Sequence, residues 1–129
     1  MIKMLHEEIT DRILASAVTV HKAIGPGLAE QSYQAAMAIE MSEQRLNFVR
    51  EPSIPVTFKG TVIGHHRPDF VVENAVVVEL KVVRSFEPVF TAQVLTYLRL
   101  TGLRVGLMIN FNVEAMGFGI KRIVKYGVP

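Results

Sequence analysis

The chain has 129 residues, half of them hydrophobic and 20% charged, and its 14 basic and 12 acidic side chains leave a formal charge of +2. Its mass is 14.4 kDa, its isoelectric point about 9.1 and its mean hydropathy +0.31. This composition fits one ordinary domain with a core of its own and excludes intrinsic disorder, collagen-like repeats and a charged tail. With no cysteine in the chain, disulfides, thiolate metal sites and thiol nucleophiles are excluded as well. No apolar run approaches the roughly 18 residues of a membrane-spanning helix. The start of the chain carries Lys3 and then Glu7 and Glu8 where a signal peptide needs an apolar stretch, so a cytoplasmic protein is expected. A charge this mild neither identifies nor excludes a polyanionic partner.

Taken in chain order, residues 4–24 are predicted to form a helix, because Ile9, Ile13, Ala17, Val20 and Ile24 recur every three or four residues. Gly25-Pro26-Gly27 should break it. A second helix is predicted over residues 28–45, rich in alanine and methionine. Beyond Phe48, Pro52 and Pro55 exclude a helix interior, and the alternation of Ile54, Val56 and Phe58 predicts a strand. Lys59-Gly60 reads as a hairpin turn into a strand that starts at Thr61 and resumes over residues 69–72. Glu73-Asn74 reads as a second turn, and residues 75–83 as a central strand buried on both faces. A third helix is predicted from Phe86 or Glu87 to Thr101, with Phe90, Val94, Leu95 and Leu98 on its apolar face. Two strands, 104–111 and 120–126, close the chain, the last at a sheet edge. The order α-α-β-β-β-α-β-β predicts a single domain over residues 1–129, α/β in class, with a mixed sheet flanked by helices.

The charged residues inside the apolar run carry the chemistry. Glu79 and Lys81 lie two apart in a strand, so they leave the same face. Placing them among valines is costly unless they are paired, exposed or used; a strand-end ion pair is the simplest alternative. A tight turn at Glu73-Asn74 would bring Asp69 beside Glu79. Two converging carboxylates repel unless a cation neutralises them, and hard oxygen ligands suit Mg²⁺ or Mn²⁺. Lys81 could contact a phosphate or orient a water that such a cation makes nucleophilic. Together these residues would suit a phosphodiester-cleaving site.

Pro68-Asp69, nine intervening residues and then Glu79-Leu80-Lys81 resemble the PD-(D/E)XK motif of the restriction-endonuclease-like nucleases. Gly27, Glu30 and Tyr33 fit the GxxExxY signature of the GxxExxY protein family. Val20-His21-Lys22, the segment Gln93 to Leu98 and the segment Gly106 to Phe111 are similar to that family as well, so the resemblance covers roughly residues 9–124. It implies a restriction-endonuclease-like αβββαβ core preceded by an extra N-terminal helix. It also implies that Glu30, Asp69, Glu79 and the Leu80 carbonyl bind Mg²⁺ or Mn²⁺, and that Lys81 is the catalytic lysine. The implied activity is metal-dependent cleavage of DNA, more than of RNA.

Tyr33 follows Glu30 on one helical face; it either hydrogen-bonds a carboxylate or phosphate, or packs in the core with a wet hydroxyl. Gln93 and Tyr97, at i and i+4, are similar in spacing to the Gln-xxx-Tyr motif of RecB-like exonucleases and would approach the substrate strand, which favours ends or single strands. His21 reads as a partly buried histidine or as a substrate contact near Glu30. His65-His66 point to opposite faces of a strand and should flank the site rather than chelate together. Lys121, Arg122 and Lys125 fit a phosphate contact or a solvated sheet edge equally well. The rival to an enzyme is a non-catalytic nucleic-acid-binding or assembly module that keeps the fold. So small a domain offers little binding area, which a homodimer or a protein partner would enlarge, although no heptad demands either.

Overall fold

The computed structural model describes residues 4–126. Helix α1, Glu7–Ile24, has Glu7 and Glu8 in its first turn, where the helix dipole favours acids. It stops at Gly25, whose φ of 73° suits glycine and whose N–H donates to the His21 carbonyl at 2.7 Å. Ile13, Ala17 and Val20 of the predicted stripe are buried, whereas Ile24, in the last turn, is exposed. Helix α2, Glu30–Glu43, starts two residues later than predicted because Ala29 is extended. Its Tyr33, Met37 and Met41 are fully buried, four residues apart on one face.

Strand β1, Phe48–Arg50, was not anticipated: three residues are too few to show a period. Strands β2, Ile54–Phe58, and β3, Thr61–His66, form a hairpin through Lys59 and Gly60, both at positive φ as a two-residue turn requires. This hairpin is a sheet of its own. The predicted strand from Thr61 through residue 72 is therefore two strands. Pro68 has no N–H for a ladder, and the chain crosses there into β4, Phe70–Val72, of the main sheet. Strand β5, Val76–Lys81, helix α3, Pro88–Thr101, strand β6, Val105–Asn110, a 3₁₀ turn at Met116–Gly119 and strand β7, Ile120–Val124, complete the chain.

The main sheet has the order β1-β4-β5-β6-β7. Only β5 and β6 pair in parallel, and α3 makes the crossover between them. The last strand is at an edge, as predicted. The central strands β5 and β6 are buried on both faces. Val76, Val78 and Leu80 join α1 and α2 in one cluster, while Val77 joins Val94, Tyr97 and Leu98 of α3 in another. By the period of two, Glu79 and Lys81 share the face of Val77 and stand toward α3. Leu95, predicted on the apolar face of α3, is exposed, and Tyr97 is buried in its stead. Leu95 follows buried Val94 and is turned about 100° away from it.

At the far edge, Lys121 Nζ donates to Thr91 Oγ1 at 2.9 Å. Arg122 donates to Thr10 Oγ1 at 3.2 Å and to the Leu5 carbonyl. These two cations are thus committed to their own chain. No helix among the described residues is long and apolar enough to cross a membrane. A Cβ added at Gly119 would overlap the Asn110 carbonyl oxygen, which is backbone and cannot swing aside. Gly119→Ala is therefore expected to lower stability by about 1–3 kcal/mol, read from a urea midpoint.

Candidate active site

The register of β4 against β5 builds the site. Phe70 pairs with Val78, so Asp69 and Glu79 face each other at the next step of the ladder. The Asp69 N–H donates to Glu79 Oε1 at 2.8 Å, and the Leu80 N–H donates to Asp69 Oδ2 at 2.8 Å. Each acid is thereby fixed by the backbone that carries the other. Glu79 is 7% exposed. Its pKa is pushed up to about 8, first by burial and then by the charge of Asp69; the Asp69 N–H and Lys81 pull the other way.

Lys81 ends β5 with Nζ 3.7 Å from Glu79 Oε2 and 4.7 Å from the centroid of the Phe90 ring. Packing on Phe90 holds the long side chain over the acids. Glu30, the first residue of α2, is largely exposed. Its carboxyl is nonetheless held above the usual range by partial desolvation and by Asp69, with Lys81 opposing. Tyr97 is buried, and its phenol is pushed up to about 12 by burial, then by Glu79 and Asp69. Four elements thus contribute to one negatively charged locus: α2, the β4 entry, β5 and α3.

Two residues that the sequence did not single out, Gln34 and Arg50, position this locus. Gln34, one turn after Glu30 and 6% exposed, donates Nε2 to Asp69 Oδ1 at 2.7 Å. Arg50 on β1 donates Nε to Gln34 Oε1 at 2.8 Å. Arginine can only donate, so Arg50 turns the Gln34 carbonyl toward itself and the amide nitrogen toward Asp69. Asn110 is buried at the end of β6. Its Oδ1 accepts from the Val83 N–H at 3.1 Å and its Nδ2 donates to the Val83 carbonyl at 2.8 Å, which ties the exit of β5 to β6. No local sequence signal flags Gln34 and Arg50, because their contact depends on how α2 docks beside β1. Gln34→Leu is expected to loosen Asp69 and cost about 10- to 100-fold in metal affinity or activity, read from the divalent-cation dependence of cleavage.

Other sequence candidates stand elsewhere. Tyr33 is fully buried and stacks on Phe111 with centroids 4.4 Å apart. Its hydroxyl donates to the Gly25 carbonyl at 2.6 Å and accepts from the Leu28 N–H at 3.2 Å, so it pins the turn before α2 rather than a carboxylate. His21 is buried and its Nε2 donates to the Val113 carbonyl at 2.8 Å, which is the core-histidine alternative. Gln93 is exposed on α3, one turn before Tyr97. His66 meets the Tyr97 ring edge-on at 6.0 Å.

Among the described residues no three His, Asp or Glu side chains converge as a ready-made metal cage. Glu30, Asp69 and Glu79 share one negatively charged locus without closing into a cage, and Glu30 stands at the exposed start of its helix. The donor chemistry nevertheless fits a hard cation. Both Asp69 oxygens and Glu79 Oε1 accept only one hydrogen bond each among the described groups, and carboxylate oxygens have further lone pairs.

A mixed sheet flanked by helices, with an Asp/Glu pair and a lysine at the end of its central strand, defines a restriction-endonuclease-like domain. A family model described as the PD-(D/E)XK nuclease superfamily matches residues 7–123, and the chain belongs to that superfamily. Its class of chemistry is nucleic-acid hydrolysis, and members generally use divalent metal ions. Among solved structures the chain is similar to an alkaline exonuclease (LHK-Exo) from Laribacter hongkongensis, at 14% identity and a TM-score of 0.47, over 95% of this chain and 83% of that one. Comparison with curated proteins finds no match.

Proposed function

We propose that the chain is a metal-dependent deoxyribonuclease of the GxxExxY type, folded as one domain over residues 1–129 and acting at ends or single strands. The observation that carries the reading is the buried Glu79, whose carboxyl is pushed up to about 8 beside Asp69. Two acids locked face to face in this way are suited to share a cation. Asp69 and Glu79, with Glu30 and the Leu80 carbonyl, would hold Mg²⁺ or Mn²⁺. When bound, such a cation supplies Lewis acidity at the phosphate and a more acidic water.

The chain's own residues do the rest. Gln34 and the Leu80 N–H hold the Asp69 carboxylate still. Lys81, fixed over Phe90, presents its ammonium to the developing charge on the phosphate. Tyr97 and Gln93 line the approach from α3. DNA rather than RNA follows the resemblance of the signature segments. The test is an end-labelled panel of linear, circular and branched DNA, single strands and RNA, with Mg²⁺ or Mn²⁺ and with Glu79→Gln in parallel. Metal-dependent cleavage lost in the variant is the expected result. No cleavage by a folded, metal-bound wild type would leave the non-catalytic binding module in its place.

A further inference from the structure

We infer that the β2–β3 hairpin is an arm that grips an unpaired nucleic-acid strand leading away from the site. The inference rests on the nuclease reading and assigns it a substrate-holding surface. The hairpin stands outside the main sheet. Its base is seated on the α3 side, where Ile54 packs with the Val94 and Leu98 cluster and His66 meets Tyr97. Asp69 follows His66 by three residues, so the arm and the site share a root.

Away from that root, Phe58, Val62 and Ile63 are 61%, 52% and 65% exposed. Phe58 pairs with Thr61, so Phe58 and Ile63 share one face of the hairpin while Val62 leaves the other; two large apolar side chains left in water side by side mark a contact surface. Its charge identifies the partner. Residues 52–68 contain no acid, carry Lys59, Arg67 and two histidines, and so hold a formal +2, as much as the whole chain. The Lys59 ammonium lies 5.5 Å from the Phe58 ring centroid, beside the turn.

An aromatic face next to a cation, on an acid-free arm, suits stacked bases and the phosphates between them. A base offers its flat face to Phe58 only when it is unpaired or terminal. Thr61 to His66 makes about 17 Å of strand, long enough for a short run of nucleotides to lie along it.

The test is fluorescence anisotropy on the full chain in EDTA, with labelled oligothymidylates of increasing length and a duplex. Phe58→Ala is expected to weaken single-strand binding about tenfold and to spare the duplex. Lys59→Gln is expected to weaken both and to reduce the salt slope by about one. Both side chains are exposed, and matched melting curves verify that the variants fold. Wild-type affinity in both variants would overturn the inference. So would unchanged affinity with a dimer turned monomer in sedimentation, which would assign the face to a second copy. If wild type cleaves nucleic acid while both variants bind normally, only the arm fails; if wild type neither binds nor cleaves, the nuclease reading fails with it.

Discussion

Asp69→Asn and Glu79→Gln are expected to lose cleavage alike, by about a thousandfold or more, while moving stability in opposite directions. Asp69 accepts on both oxygens, from Gln34 Nε2 and from the Leu80 N–H. An amide in its place sets an NH₂ against one donor in either orientation. Gln34 cannot flip to relieve this, because Arg50 then faces an amide nitrogen. The clash is expected to cost about 1–3 kcal/mol. Glu79→Gln keeps an oxygen for the Asp69 N–H and removes a buried charge, so the metal-free variant should melt above wild type at pH 8. The double variant Gln34→Glu/Asp69→Asn supplies a carboxylate that accepts from both Arg50 and the new amide. It is expected to regain stability without regaining cleavage. Wild-type cleavage by either single variant would remove these residues from the site.

The second large effect is a loss of metal-free stability as pH rises. The Glu79 carboxyl titrates near 8 in the folded chain and near 4.5 when free of it. Between those values the folded state keeps a proton that the unfolded state releases. Unfolding therefore gains ground through this window, by up to about 1.4 kcal/mol per pH unit from this group, and the trend levels off above pH 8. Glu30, also raised, adds in the same direction. Melting temperature in EDTA should fall from pH 5 to pH 8, and the fall should flatten in Glu79→Gln. Added Mg²⁺ should restore the wild type most at the upper end and release protons as it binds. A slope that survives in Glu79→Gln would assign the pH dependence to other groups.

Helices and the central strand were legible because their periods run over many residues: Ile13, Ala17 and Val20 mark α1, and the valines mark β5. Strand β1 was not, since Phe48 to Arg50 shows no period and pairs only through long-range contact with β4. Leu95 and Tyr97 exchanged places because helical position, rather than hydrophobicity, decides which side chain meets the sheet. In the site, the Asp69 and Glu79 pairing could be deduced from the turn between them. Gln34 and Arg50 could not, because their roles depend on where α2 and β1 dock, which no local pattern encodes. Tyr33 belonged to a recognisable signature, yet its hydroxyl bonds fix the turn ahead of Glu30 rather than a carboxylate.

The pairing of β4 with β5 also constrains how far apart the two acids can lie in related sequences. Ala75 N–H closes on the Val72 carbonyl at 3.0 Å, and Val72 pairs with Val76. The nine residues between Asp69 and Glu79 are therefore three in the connection and three rungs on each strand. Lengthening the ladder by a rung adds one residue to each side, so a relative that keeps this connection should separate its acids by an odd number. A single inserted residue would slide one strand by half a pleat and turn an acid to the opposite face. An even spacing would thus signal a different turn or a bulge, which makes the parity of the gap a readable character in any sequence comparison of this family.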